Sequence, residues 1–314
     1  INGEEGNGKA YREEVIPAVA FEDVNFESCE LSLTRTRYEK QGEDVTEEFL
    51  GDRLTRTETG GSGVFDTFAK KEENDGIYTL QVRITDKAGH EAKSSCTFTV
   101  NRFGSVYAYD SYLNSLIGDG GAYVRGLEED LIITEYNADR LISGSAQVDI
   151  SRDGRPLEEV SYRVTPEIND QAAPGSSGWY QYQYTIDREN FAADGVYRLS
   201  IASADATGNH PDSVTYREIL FRVDSTPPEI NRISGLEKAI VNASQVPVTY
   251  DVYDTIGLAS VQIYVGERLV EEVTDFSGDA NQYEGSFTLK EASEAQHVRL
   301  VVTDKAGNVT DTDS

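Results

Sequence analysis

Residues 75–89 read DGIYTLQVRITDKAG, and residues 194–208 repeat the pattern as DGVYRLSIASADATG. A weaker third copy, HVRLVVTDKAG, occupies residues 297–307. Self-similar segments at such wide intervals indicate stacked copies of one small domain. The repeat therefore predicts the architecture strongly and the chemistry weakly, because one architecture hosts many functions.

The first copy alternates apolar and polar side chains along its length. Its apolar positions are Tyr78, Leu80, Val82 and Ile84. A period of two is typical of a strand with one buried and one solvated face. A helix is disfavoured because it would bring Gln81 and Arg83 to the buried side.

Each copy ends in Asp-x-x-Gly followed by Asn or His. An Asp at the first position of a type I turn accepts hydrogen bonds from the following backbone, and the Gly can take a positive φ. We therefore expect a hairpin turn after each strand. The alternative, a calcium site, is disfavoured because one Asp supplies too few ligands. The predicted turn residues are Asp86 and Gly89, Asp205 and Gly208, and Asp304 and Gly307.

Two copies begin with Asp-Gly-x-Tyr, which resembles the tyrosine corner at the start of strand F in the immunoglobulin fold. Together with FTVNRFGS at 98–105 and FRVDSTPPEI at 221–230, the copies resemble bacterial immunoglobulin-like tandem-repeat proteins of Gram-positive cell surfaces. The resemblance covers essentially the whole chain. It implies an all-β fold of three tandem immunoglobulin-like β-sandwich domains in an extended arrangement. It also implies corner roles for Tyr78 and Tyr197, whereas Gln296 stands at that position in the third copy.

The repeat spacing predicts domains at residues 1–102, 103–224 and 225–314, with strand A of the first short or missing. Adjacent prolines at 227 and 228 predict a stiff second linker. Only seven residues follow Gly307, so strand G of the third domain is predicted to be truncated. That would leave a sheet edge to which a partner could add a strand.

The chain is strongly acidic, with a net charge of −28 from 56 acidic and 28 basic residues. Such a surface repels nucleic acid and anionic lipid, so we expect neither as a partner. We expect no membrane insertion in this segment, since no long apolar run is present. An initiating Met, a signal peptide and a Leu-Pro-x-Thr-Gly motif are all missing. We interpret the chain as a fragment of a longer exported protein, placed extracellularly at the cell surface or in the cell wall.

The two cysteines, Cys29 and Cys96, could form a disulfide in an exported protein. In an immunoglobulin sheet, strand F separates the strands that would carry them, which places the backbones about 9–10 Å apart. A disulfide needs Cα atoms within about 7 Å. Free thiols are therefore favoured, and the disulfide stays open as the alternative.

Trp179 is the only tryptophan and shares one face of a predicted strand with Gln181 and Gln183. A flat aromatic ring beside amides suits carbohydrate, which makes these three the candidate ligand-binding residues. The alternative is that Trp179 caps the end of a sandwich. A second aromatic group is expected to pack between the first two domains, with ligand binding as its alternative: Tyr107, Tyr109 and Tyr112.

We find no pattern of catalytic residues. The histidines, His90, His210 and His297, lack metal-ligand spacing and plausible nucleophiles. Adjacent acids such as Glu158 and Glu159 are interpreted as solvated surface, because a glycosidase needs carboxyls facing each other across a cleft. Acidic clusters at the linkers could bridge domains through calcium, as in cadherins, but the cadherin Asp-x-Asn-Asp-Asn pattern is missing. We therefore expect no enzyme, no cofactor and no metal.

These observations favour a non-catalytic stalk or adhesion segment of a cell-surface protein. Its candidate partners are a host or cell-wall glycan or a protein. The alternative is a carbohydrate-binding or accessory module of a larger glycan-processing enzyme, with Trp179 as the contact.

Overall fold

The computed structural model describes residues 1–117, 121–167, 178–209, 219–237, 242–276 and 281–312. Its regular structure is almost entirely strand, arranged in six sheets. Three hydrophobic cores each draw side chains from two of these sheets, and we call the units the first, second and third sandwich. The structure confirms the expected all-β fold of tandem immunoglobulin-like sandwiches. The exact domain boundaries stay a prediction.

The first sandwich packs a five-stranded sheet, in the order β1-β8-β7-β3-β4, against a three-stranded sheet, β2-β6-β5. Tyr78, Phe68 and Phe98 fill its core. Its first strand, β1, has two residues and pairs in parallel with β8. Its elements are β1 (Ala10–Tyr11), β2 (Ala18–Glu22), β3 (Phe26–Thr36), β4 (Glu43–Asp44), α1 (Thr46–Leu50), β5 (Leu54–Thr57), β6 (Gly60–Val64), a 3-10 turn (Glu72–Asn74), β7 (Gly76–Asp86) and β8 (Glu91–Val100).

The second sandwich packs β10-β17-β16-β12-β13 against β14-β15-β11-β9. Tyr184, Tyr197 and Phe221 lie in its core. The helix α2 and the strand β14 were not anticipated from the sequence. Its elements are β9 (Val106–Tyr109), α2 (Ser111–Leu116), β10 (Tyr123–Val124), β11 (Leu131–Asn137), β12 (Gln147–Arg152), β13 (Arg155–Pro156), β14 (Tyr162–Glu167), β15 (Tyr180–Ile186), a 3-10 turn (Arg188–Phe191), β16 (Gly195–Ala202) and β17 (Ile219–Val223).

The third sandwich packs β18-β19-β22 against β21-β20-β23-β24. Its last strand is short, since three residue pairs join β24 to β23 whereas ten join β8 to β7. Partner-strand addition at this edge stays a prediction. Its elements are β18 (Glu229–Ser234), β19 (Gln245–Tyr253), β20 (Leu258–Val265), β21 (Arg268–Val273), β22 (Gln282–Lys290), β23 (Val298–Asp304) and β24 (Val309–Asp311).

The cysteines lie on strands separated by β7. Cys29 pairs with Ile84 across β3 and β7, and Cys96 pairs with Leu80 across β7 and β8. Both thiols are free, with Cys29 buried and Cys96 half-buried. Among the described residues, no helix has the length and apolar character needed to span a membrane.

Candidate functional site

The repeated motifs meet at the two junctions between sandwiches. The Asp of Asp-Gly-x-Tyr binds the linker that leaves its own sandwich. One carboxylate oxygen of Asp75 accepts hydrogen bonds from the backbone N–H groups of Arg102 and Phe103, both at 2.7 Å. In the second copy, Asp194 accepts from the backbone N–H of Ser225 at 2.8 Å and from the Thr226 hydroxyl at 2.5 Å. Each motif therefore anchors the chain segment that leads to the next sandwich.

The pKa values of these two equivalent carboxyls are shifted in opposite directions. Burial raises the pKa of Asp75 to about 6, and hydrogen bonds from Phe103 and Arg102 offset this only in part. Its second oxygen, Oδ1, is buried without a hydrogen-bond donor among the described residues. Burial also acts on Asp194, but the hydrogen bonds from Thr226 and Ser225 outweigh it, so the pKa of Asp194 lies below its ordinary value. Asp194 is thus the better satisfied carboxylate.

The tyrosines of the same motif lie in the cores and bond back to the preceding turn. The hydroxyl of Tyr78 donates to the backbone carbonyl of Asn74 at 2.8 Å, and the hydroxyl of Tyr197 donates to that of Ala193 at 2.7 Å. In the third copy, the amide of Gln296 donates to the backbone carbonyl of Lys290 at 2.8 Å, on the exposed surface. The tyrosines therefore hold the loops that present Asp75 and Asp194 to the linkers.

The three Asp-x-x-Gly turns have one backbone geometry. Gly89, Gly208 and Gly307 all have a positive φ, of 85°, 94° and 85°. In each turn the Asp carboxylate accepts from the backbone N–H of the residue after the glycine, which is His90, Asn209 or Asn308, at 2.8–2.9 Å. The glycine and the Asp side chain together close the hairpin between two core strands.

The residue after the glycine distinguishes the turns at the junctions. The side-chain amide of Asn209 donates to its own Asp205 at 2.9 Å and to the backbone carbonyl of Asn101 in the first linker at 3.0 Å. Asn308 contacts Asp304 and the backbone carbonyl of Asp224 in the same way. Within the described part of the chain, His90 in the first copy bonds only within its own turn, to Asp86. The repeated Asn therefore joins each later sandwich to the linker before it.

An arginine on the preceding sandwich contacts the glycine of the same turn. Arg12 follows β1 and donates to the backbone carbonyl of Gly208 at 2.9 Å. Arg125 follows the equivalent strand β10 and donates to the backbone carbonyl of Gly307. Both junctions thus have the same three contacts: an Asp that binds the linker, an Arg that binds the carbonyl of the turn glycine, and an Asn that binds a linker carbonyl.

At the first junction, the buried polar group comprises Asn101, Asn137 and Asp205. The amides of Asn101 and Asn137 donate to one carboxylate oxygen of Asp205, both at 2.9 Å, and Asn101 also donates to Asn137 at 2.9 Å. All three residues are at most 2 % exposed. The negative charge of Asp205 therefore meets amide donors from both sandwiches.

At the second junction, aspartates occupy all three positions. Asp224 follows β17 as Asn101 follows β8, Asp254 follows β19 as Asn137 ends β11, and Asp304 matches Asp205. The three carboxylates are 1–2 % exposed, and one oxygen of each lies within 4.8 Å of the others. Burial, together with Asp254 and Asp304, raises the pKa of Asp224 to about 6.

The first junction also contains an aromatic contact built around Trp179. Its indole N–H donates to the backbone carbonyl of Thr36 at 2.9 Å, and its ring lies 5.8 Å from that of Tyr38. Tyr38 stacks on Tyr136 of the second sandwich at 5.1 Å. Trp179 is 1 % exposed, so its ring offers no face to a sugar in this arrangement. Gln181 and Gln183 lie on β15 and are half-buried.

The expectation for the second aromatic group was wrong. Tyr107, Tyr109 and Tyr112 pack on the core of the second sandwich, and none of them belongs to the aromatic cluster at the junction. The alternation of residues along β9 shows that a face is covered. It cannot show whether the core of the second sandwich or the first sandwich covers that face. Tyr107 also bonds, at 3.4 Å, to the carboxylate of Glu135.

Glu135 is a fully buried carboxylate beneath the first junction. The hydroxyl of Tyr184 donates to it at 2.5 Å, and Ser105 and Ser203 donate to its other oxygen. Burial, followed by the charge of Glu135, raises the pKa of Tyr184 above its ordinary value. Ser105 also accepts from Asn137 at 3.0 Å, so the polar network is continuous from this core to the linker.

The histidines and the adjacent acidic residues do not form a common site among the described residues. His90 is exposed, His297 opens the last repeat, and His210 lies outside the described residues. The acidic pair Glu158 and Glu159 is exposed on the surface of the second sandwich. Among the described residues, none of these groups faces another across a cleft.

The sequence contains the junction residues, but their partners are far apart along the chain. Asp224 and Asp254 were not singled out, and Asn209 and Asn308 were interpreted only as turn residues. The available signal was the parallel between VN at 100–101 and VD at 223–224, each just before a linker.

No protein-family model matches the chain, and no curated protein matches it. The chain is similar to several solved structures of tandem domains. One is a tetra-tandem repeat in the extending region of a large adhesion protein, with 15 % identity, a TM-score of 0.30, and coverage of 92 % of this chain and 66 % of that one. Another comprises domains FN1–FN3 of chicken CNTN1, with 11 % identity, 98 % coverage of both chains and a TM-score of 0.29. A third comprises the fibronectin(III)-like modules of Clostridium thermocellum CbhA, with 15 % identity, coverage of 66 % and 90 %, and a TM-score of 0.27.

Proposed function

We propose that this chain is a non-catalytic stalk segment of an exported adhesion protein. The sandwiches are held in line at their junctions and carry a partner-binding part away from the cell surface. The observation that carries the proposal is the set of three contacts that recurs at both junctions. Asp75, Arg12 and Asn209 make them at the first junction, and Asp194, Arg125 and Asn308 make them at the second.

Stiffness is the mechanical property that a stalk needs. Each hydrogen bond contributes only about 0.5–1.5 kcal/mol, but several of them act together at each linker. The buried Trp179 adds an apolar contact to the first junction. The same burial weakens the carbohydrate-module alternative, which relied on this ring as an exposed platform.

Small-angle X-ray scattering on the whole chain tests the stalk. We expect a single elongated shape at low and high salt, and a broader distance distribution in the Asn209→Ala/Asn308→Ala double variant. His90→Ala is the matched control, because the bond described for its side chain lies within its own turn. A wild-type chain as flexible as the double variant would contradict the proposal.

A glycan array tests the alternative. The stalk predicts no selective binding. Selective binding that is lost in Gln181→Ala or Gln183→Ala, with an unchanged scattering profile, would instead establish a carbohydrate-binding module.

A further inference from the structure

We propose that the second junction is a calcium site, formed by the carboxylates of Asp224, Asp254 and Asp304. This goes beyond the stalk function and does not depend on it. It also departs from our sequence-based expectation of no metal, which relied on the missing cadherin pattern.

The two junctions provide an internal comparison. The same three positions carry Asn101, Asn137 and Asp205 at the first junction, where amide donors surround a single carboxylate. The second junction carries three carboxylates at those positions. Replacing two amides by acids removes the donors and adds two negative charges in the same buried space. Three ionised carboxylates repel one another in that space, and a bound cation would offset both this repulsion and the cost of burying the charges.

The hydrogen bonds that the structure describes to the three carboxylates do not supply that charge. Asp254 accepts from the backbone N–H groups of Ile256 and Gly257 at 2.8 and 2.6 Å. Asp304 accepts from the backbone and side chain of Asn308. All of these donors are neutral.

One carboxylate oxygen of the group remains unpaired. Asp224 is 1 % exposed, and its Oδ1 accepts from the backbone N–H of Thr226 at 3.2 Å. Its Oδ2 is buried and has no hydrogen-bond donor among the described residues. Single oxygens of Asn101, Asn209 and Asp75 at the first junction also lack donors, but among the described residues none of these three belongs to a group of converging carboxylates. Asp224 thus has one oxygen free to bind a ligand, and its carboxylate is one of the three that converge.

The donor set selects the type of ion. Only carboxylate oxygens converge, and hard cations prefer oxygen ligands, whereas zinc and copper favour His and Cys. Ca²⁺–O distances of about 2.3–2.6 Å allow ligands on opposite sides to be about 5 Å apart. The 4.8 Å limit on the separation of the three oxygens fits within that sphere. Water and backbone carbonyls would complete the coordination, since Ca²⁺ takes about six to eight oxygens.

The ion would act between sandwiches, because Asp224 lies in the linker, whereas Asp254 follows β19 and Asp304 ends β23 of the third sandwich. Calcium is therefore expected to stabilise the third sandwich on the second.

Isothermal titration calorimetry of the chelator-treated full chain with CaCl₂ tests the site. We expect one saturable site per chain and a rise of several degrees in the melting temperature on adding calcium. The Asp224→Asn/Asp254→Asn variant recreates the amide pattern of the first junction. It should lose the site and melt higher than the calcium-free wild type. Glu158→Gln/Glu159→Gln removes the same charge from the exposed surface and should leave the titration unchanged.

The reverse exchange, Asn101→Asp/Asn137→Asp, tests the site even if the Asp224→Asn/Asp254→Asn variant fails to fold. It should create a second calcium site at the first junction. No saturable binding to folded wild-type chain would overturn the proposal, as would equal loss in the surface-charge control. Equal stabilisation by MgCl₂ would overturn the assignment to calcium.

Discussion

The side-chain amide of Asn308 lies 2.8 Å from the backbone carbonyl oxygen of Asp224 and donates a hydrogen bond to it across 84 positions of sequence. The same amide donates to Asp304 within its own turn. One residue thereby shapes a hairpin and binds the preceding linker, which links folding of the repeat to assembly of the array.

Asn308→Ala should loosen the third sandwich. The variant loses both side-chain bonds and leaves the buried carbonyl of Asp224 without its amide donor, a cost of about 1–3 kcal/mol. Hydrogen exchange should become faster at linker residues 224–226. His90→Ala is the control and should change stability by less than about 0.5 kcal/mol, because His90 is exposed. Unchanged exchange in the Asn308 variant would show that this bond does not hold the linker.

Trp179→Ala should uncouple the first two sandwiches. Removing a buried tryptophan costs about 3–5 kcal/mol, and here the cost includes the indole bond to Thr36. By calorimetry, we expect one cooperative transition for these two sandwiches in the wild type and two transitions in the variant. Tyr162→Ala removes an aromatic side chain that is 37 % exposed, and it should not separate the transitions. A single cooperative transition in the Trp179 variant would show that this residue does not couple the first two sandwiches.

Asp75→Asn should remove a pH dependence of stability. Burial raises the pKa of Asp75 from an ordinary 3.8 to about 6. The folded state therefore binds this proton more tightly than the unfolded state, so stability is gained as pH falls through 6 and lost as pH rises through 6. From pH 7 to pH 5 this gain is about 1 kcal/mol in the wild type and vanishes in the variant. Denaturant unfolding at the two pH values measures it.

Asp194→Asn is the counterpart at the same repeat position, with the opposite expected sign. Hydrogen bonds from Thr226 and Ser225 hold its pKa below the ordinary value despite burial. Its carboxylate therefore stabilises the fold at neutral pH and loses that effect only as pH falls through the lowered pKa. At pH 7 this variant should lose about 1–3 kcal/mol, whereas Asp75→Asn should lose little. Equal losses in both variants would contradict the assigned shifts.

Gly208→Ala should destabilise the second sandwich. Gly208 has a φ of 94°, and a side chain there is strained by roughly 1–2 kcal/mol. Gly126→Ala is the control, because a Cβ there meets open space and the backbone φ is not positive. The measurement is the denaturant midpoint of the chain. Equal denaturant midpoints for the two variants would show that the positive φ of Gly208 does not require a glycine.

Much of the fold could be predicted because its signals are local. The alternation from Tyr78 to Ile84 lies within one strand, β7, and the turn from Asp86 to Gly89 closes within five residues. The aromatic residues were harder, since Trp179 and Tyr107 both lie in alternating segments. Alternation says that a face is covered, but it cannot say whether its own core or a neighbouring sandwich covers it.

Local sequence was sufficient for the repeated core strands and the turns that follow them, because period-two burial and hydrogen bonds across a few residues act over short distances. It did not indicate α2 or β14. Only the folded chain decided that Arg12 meets Gly208 and that Asp224, Asp254 and Asp304 converge. These contacts join positions up to 196 residues apart. These contacts exist because one sandwich packs on the next. At one junction this buries an aspartate that accepts hydrogen bonds from asparagine amides, and at the other it buries three aspartates together.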